Sequence, residues 1–204
     1  MMNKLKHKIS FLGLICLFLC VLVSSCANTK ESESSDILNF SDDTTAAAQL
    51  VVEANEDLNK IKIIYNDNEA KREDLKDAMK DNDIEKVKKI SDDLVYLIND
   101  GTALGKSAID KISQAQDMNI NSDFKEYLRL KEESLQKQMD AFENYRQAAI
   151  FLRDGYDPKD EKQREAVNSK FKSFGENFNK TIESAREYSK KANDLAKESA
   201  KRGN

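Results

Sequence analysis

The sequence predicts an all-α protein in which residues 44–204 form an elongated antiparallel up-down-up-down four-helix bundle. Three observations lead there. Apolar residues recur at three- and four-residue steps along four long segments, which is the period of one helix face. Short polar interruptions separate the segments, and short connections make consecutive helices antiparallel neighbours. No run alternates apolar and polar residues as a half-buried strand does.

The first segment carries Leu50, Ala54, Leu58, Ile61, Tyr65, Leu75 and Met79, with Asn68 and Arg72 interrupting the stripe. "DND" (Asp81 to Asp83) ends it, and Asp83 is a suitable N-cap for the next helix. The second stripe is Ile84, Val87, Ile90, Leu94, Ile98, Ala108, Ile112 and Ala115. "MNINSD" interrupts again, with Ser122 or Asp123 as the expected cap. Phe124, Leu128, Leu135, Met139, Phe142, Tyr145, Ala149 and Leu152 mark the third stripe. "RDGYDPKD" then stops the pattern: Gly155 suits a left-handed residue, Asp157 a cap, and Pro158, the only proline, the first helical position. Val167, Phe171, Phe174, Phe178, Ile182, Ala185, Ala192 and Leu195 form the fourth stripe. Rods of 30–40 residues are on the order of 45–60 Å long.

Some residues invite a second reading. Gly101 and Gly105 stand one turn apart and predict a close helix approach, as does Gly175. Phe171, Phe174 and Phe178 share one face, expected to be core. Glu56/Lys60, Glu85/Lys89, Glu133/Lys137 and Glu187/Lys191 are acid-before-base pairs at four-residue spacing, each worth a few tenths of a kcal/mol on a solvated face.

The N-terminus is of another kind. Lys4, Lys6 and Lys8 precede a 15-residue apolar run, Ile9 to Val23, and no acid occurs before Cys26. That run is short for a membrane span and suits the apolar core of a secretory signal. It ends in Val23-Ser24-Ser25-Cys26: an aliphatic residue three before a cysteine, then two small residues. This resembles the lipobox of bacterial lipoproteins. The resemblance implies lipidation of the Cys26 thiol and cleavage between Ser25 and Cys26, so that residues 1–25 are a signal peptide that is removed. Cys16 and Cys20 would leave with it. Buried acyl chains gain about 0.8 kcal/mol per methylene, so two or three of them make attachment effectively permanent.

Processing changes the chemistry available. Losing three lysines and no acid takes the net charge from −4 to −7 and removes His7, the only histidine. Ser-His-Asp and Cys-His catalysis need an imidazole base, zinc sites draw on Cys and His, and di-iron bundles use Glu-x-x-His pairs. None of the six glycines stands in a phosphate-binding pattern. A carboxylate-only glycosidase needs two acids in a cleft, whereas here the acids follow charged helical stripes and there is no tryptophan. The expectation is a non-enzyme with no cofactor beyond the lipid on Cys26.

Residues 26–43 contain the cysteine expected to be lipidated and then a polar Ser/Glu-rich stretch, expected to be a flexible tether spanning roughly 20–25 Å. Ile37, Leu38 and Phe40 within it are candidates for docking on the domain. Tethered at the start of the first helix, the bundle would place its first and third turns at the end far from the membrane. That tip would gather Asp81, Asp83, Asp154, Tyr156 and Asp157 as candidate partner-binding residues, with Asn82, Asp160 and Glu161 beside them. Lys190, Lys191, Lys197, Lys201 and Arg202 would lie near the bilayer, where each cation gains up to about 1 kcal/mol from anionic lipid. Helix polarity alone accounts for much of this segregation.

A charge of −7 is a poor match to nucleic acid. The expected partners are the membrane, through the lipid, and an envelope protein or wall polymer. Lipobox, polar spacer and Lys/Glu-rich helices together look like the small helical lipoproteins of bacterial envelopes, including those described as cell-wall-binding. That likeness implies a cell-membrane or outer-membrane lipoprotein on the extracytoplasmic side. The expected role is an interaction or structural module, with a wall-binding spacer or a carrier of a small apolar ligand as alternatives. Ala27 after the cysteine, in place of Asp, does not indicate retention at an inner membrane.

Overall fold

Residues 43–202 are described by the structure, a computed structural model of the chain. Residues 1–42, where the expected signal sequence with Ser25 and Cys26 and the expected tether fall, lie outside the described residues. Within them the protein is all helical, in five helices: α1 (Asp43–Asp67), α2 (Ala70–Lys80), α3 (Ile84–Asp117), α4 (Ser122–Gly155) and α5 (Glu161–Arg202).

The first apolar segment is thus two helices rather than one. At the joint the backbone tightens to three-residue hydrogen bonds: Asn68 N–H to the Tyr65 carbonyl (3.1 Å), Glu69 N–H to Asn66 (3.3 Å) and Lys71 N–H to Asn68 (3.1 Å). The Asn68 side-chain amide also donates to the Ile64 carbonyl (2.8 Å), holding the last turn of α1. Asn competes for backbone groups in this way, which makes it a poor interior helix residue.

The α2–α3 turn is compact. Asp83 N–H bonds the Ala78 carbonyl (2.9 Å) and Asn82 N–H bonds Met79 (3.4 Å), a Schellman closure. Asn82 takes the left-handed conformation this requires (φ 56°), a role usually given to glycine. Asp83 then caps α3 by accepting from Lys86 N–H (3.0 Å), as its sequence position predicts. The next two caps differ from expectation. Asn121, rather than Ser122 or Asp123, caps α4 through Phe124 N–H (2.8 Å). Asp160, rather than Asp157, accepts from Gln163 N–H (3.1 Å) at the start of α5, and Pro158 lies in the turn before it. Gly155 keeps negative φ inside α4.

Cross-helix contacts show how the helices run. Asp43 meets Asn119, Asp57 meets Ser107 and Lys111, and Lys71 meets Asp93. Partner numbers fall as residue numbers rise, so α1 and α2 are antiparallel to α3. Gln116–Glu132, Asn99–Arg146 and Asp92–Arg153 give the same order for α3 and α4. Ser134–Ala185, Lys131–Asn193 and Asp123–Ser199 give it for α4 and α5. The principal packing is α1 and α2 on α3, α3 on α4, and α4 on α5.

Two apolar clusters hold these pairs. One contains Leu75 and Ala78 of α2, Val87 and Leu94 of α3, Leu152 of α4 and Val167 of α5, with Tyr156 following α4. The other contains Ala47 and Ala54 of α1, Ala108 and Ile112 of α3, and Leu128 and Leu135 of α4. Leu128 and Leu152 are essentially inaccessible, which stabilises the fold by about 1.5–3 kcal/mol each. Phe178 is buried and Phe171 packs on the first cluster, as the fourth stripe predicts.

The glycines divide. A Cβ on Gly105 would overlap the Met139 thioether, with Cε at 2.6 Å, so α3 and α4 meet closely there. At Gly101 it would make ordinary contact with Ile61 (3.9 Å). Gly175 has open space and enables no close approach.

Candidate functional site

The tip residues come together in part. Tyr156 directly follows α4, and its hydroxyl donates to the Met79 carbonyl at 2.9 Å. That bond ties the α2–α3 turn to the α4–α5 turn. Tyr156 is only 6% exposed and sits among Leu75, Ala78 and Val167, so its side chain is core rather than a surface for a partner. Burial pushes its phenol above the ordinary value.

The acids around it are largely engaged within the chain. Asp83 caps α3. Asp157 accepts from Lys159 N–H (2.9 Å) in the turn. Asp154 takes Arg153 Nε at 2.8 Å, and that guanidinium lowers its carboxyl pKa. Arg153 also reaches Asp92 on α3 (3.0 Å), and both carboxylates raise its own pKa. Glu161 faces Arg164 at 3.6 Å. Asp81 is exposed, at the C-cap of α2. Asp81, Asp83 and Asp154 therefore present carboxylates to solvent, while Tyr156 supports the turns from beneath.

At the other end, Asp43 accepts from Asn119 N–H (2.9 Å) and Asp123 accepts from Ser199 (2.8 Å) and Arg202. The start of α1, the α3–α4 turn and the end of α5 share this end. Lys190, Lys191, Lys197 and Lys201 are exposed there, Lys191 lying over the Tyr188 ring at 5.3 Å. Arg202 is paired, so one of the five cations is offset by Asp123.

Among the described residues, the one charged group covered by the fold is Asp57 on α1, at 4% exposure. It accepts from Ser107 (2.8 Å) and Lys111 across the interface with α3, and from Lys60 (3.0 Å) on its own helix. The Lys111 bond leads in lowering its pKa, which falls to about 2 against the cost of burial. Lys111 rises in turn, chiefly through Asp57. Such a carboxylate stays ionised at neutral pH and suits holding two helices together rather than moving protons. The sequence reading missed it. The available signal was its position, three after Ala54 and four before Ile61, on the apolar face.

The described residues contain no histidine or cysteine, and no group of three or more His, Cys, Asp or Glu is placed among them to hold a metal ion. No described helix is long and apolar enough to cross a membrane. No protein-family model, curated protein or solved structure matches the chain.

Proposed function

We propose that the chain is a lipid-anchored extracytoplasmic lipoprotein acting as a non-enzymatic interaction or structural module of the cell envelope. One observation carries this reading: Lys4, Lys6 and Lys8, the apolar run Ile9 to Val23, and Val23-Ser24-Ser25-Cys26 occur together in order. Cys26 holds the lipid, and the chain is cut between Ser25 and Cys26. Residues 44–204 act as an antiparallel up-down-up-down four-helix bundle in which α1 and α2 together supply the first rod.

The bundle is a spacer with two unlike ends. Its tethered end, with Lys190, Lys191, Lys197 and Lys201, faces anionic headgroups. Its far end offers Asp81, Asp83, Asp154 and Asp157 to an envelope protein. Support comes from the cross-helix order, which puts Asp43 and Arg202 at one end and Met79 and Tyr156 at the other.

Metabolic labelling with a palmitate analogue tests the anchor. Wild type incorporates label and Cys26→Ala does not; label retained by Cys26→Ala refutes it. Crosslinking in intact cells tests the module, with one envelope protein recovered reproducibly as the expected result. Co-sedimentation with purified wall material in place of such capture would reassign the module as a wall-binding spacer.

A further inference from the structure

The two apolar clusters are not built by the same helices. The one at the Tyr156 end draws on α2, α3, α4 and α5. The one at the Asp43 end draws on α1, α3 and α4, and no described residue of α5 enters it. Ile182, Ala185 and Ala192 of α5 are buried outside both clusters, and the Ala185 carbonyl accepts from Ser134 of α4. In an up-down-up-down bundle the first and last helices are neighbours, yet α1 and α5 are not among the principal packing pairs.

The flank of α1 that faces this gap is apolar. Asp57 marks the side held against Ser107 and Lys111 of α3. Leu58 follows it by about 100° around the helix, and Val51, two turns earlier, shares that face. Both are half-buried and pack on the Asp43-end cluster. On α4, the Phe124 and Tyr127 rings stack at 6.3 Å and are half-buried against the same cluster. Lys131 and Ser134, on the Tyr127 side of α4, reach α5. Val51, Leu58, Phe124 and Tyr127 therefore line a groove between α1 and α5, with α4 as its floor.

Where α1 begins decides which chain can cover it. Ile37, Leu38 and Phe40, which lie outside the described residues, are the only large apolar side chains between Cys26 and Asp43. Phe40 precedes Asp43 by three residues and Ile37 by six, so at full extension they stay within about 10 Å and 20 Å of it. Along α1, Val51 is about 12 Å from Asp43 and Leu58 about 22 Å. Asp43 meets Asn119, just before the turn in which Asn121 caps Phe124, so the Phe124–Tyr127 pair is at this same end.

We propose that residues 37–40 turn back into the groove between α1 and α5. Phe40 packs on the Phe124–Tyr127 pair, and Ile37 and Leu38 pack on Val51; Leu58 is at the limit of their reach. The segment supplies the apolar cover that α5 does not give this end of the molecule. Docking goes beyond the anchored reading and needs no lipid. Where that reading holds, residues 27–36 alone remain as the tether, about 16–19 Å on average, which holds the helices closer to the membrane.

The chain has no tryptophan, so Phe40→Trp introduces a single indole whose exposure acrylamide quenching reads on the full chain in detergent micelles. Quenching should be at least about threefold weaker than for Lys30→Trp, because a docked indole is reached only when the segment opens. Ile37→Asp with Leu38→Asp, which touches no helix, should raise Phe40→Trp quenching to the Lys30→Trp level; Val51→Asp should do the same from the groove side. Equal quenching at the two positions overturns the proposal, as does protection that survives both sets of substitutions. Stronger quenching of Phe40→Trp by a nitroxide-labelled detergent than by acrylamide would place the indole in the micelle, and protection lost on dilution would assign the groove to a second copy; either result also overturns it. The same comparison on Cys26→Ala separates the two readings. Protection there is expected to persist, so absence of lipid from Cys26 would contradict the anchor alone, and equal quenching the docking alone.

Discussion

The Tyr156 hydroxyl donates to the Met79 carbonyl, a group that already accepts from Asn82 N–H to close the α2–α3 turn. One carbonyl therefore couples the left-handed Asn82 turn to the loop that leads into α5. Tyr156→Phe keeps the ring and removes the bond, and should cost about 1 kcal/mol in denaturant unfolding. Tyr156→Ala also opens a cavity between Leu75 and Val167 and should cost about 3–5 kcal/mol. Equal effects of the two variants would mean that the ring contributes nothing.

Asp57 gives a pH dependence whose sign is fixed. Its pKa falls from 3.8 in the unfolded chain to about 2 in the folded protein. The folded state thus releases this proton more readily, and the contribution is complete above about pH 4 and lost as pH falls toward 2. After discounting for screening at the helix flank, it is on the order of 1 kcal/mol. Unfolding titrations of wild type and Asp57→Asn should converge below pH 2 and separate above pH 4.

The glycines provide a contrast in sign. Gly175→Ala adds a methyl in open space inside α5 and should stabilise by about 0.5–1 kcal/mol, because glycine loses more entropy in a helix. Gly105→Ala gains the same propensity but must displace Met139, so it should be near neutral. Gly105→Val cannot be relieved by a flexible thioether alone and should destabilise. Thermal melts of the three variants order them.

Asp81→Asn, Asp154→Asn and Asp157→Asn combined should reduce partner capture by crosslinking in intact cells several-fold while leaving the melting temperature within a few degrees. Asp83 is left intact because it caps α3, and its loss would cost about 1 kcal/mol of helix stability. Unchanged capture would remove the far end from consideration.

The legible parts of the fold were those set by local chemistry on a long stripe. Leu128, Leu152, Val167 and Phe178 are buried where the three- and four-residue steps put them, and Asp83 caps where a short acid precedes an apolar run. Caps inside polar clusters were less legible. Asn121, Ser122 and Asp123 all suit the role, and which one accepts depends on where the chain leaves Ile120, a buried residue. Asp160 displaced Asp157 because the turn around Pro158 extends before α5 begins. The α1–α2 joint was visible at Asn68 only as an interruption, since near-helical angles leave almost no sequence signature. Asp57 and Tyr156 were hidden for opposite reasons. One is a charge that the fold covers, and the other a loop aromatic that the fold draws inward.

The intact mass of the protein extracted from cell membranes is the most direct check on the anchored reading. A polypeptide beginning at Cys26, lacking His7 and carrying the added mass of two or three acyl chains is the expected result. A chain of 204 residues with residue 7 still attached and no lipid, recovered from the cytosolic fraction, would contradict it.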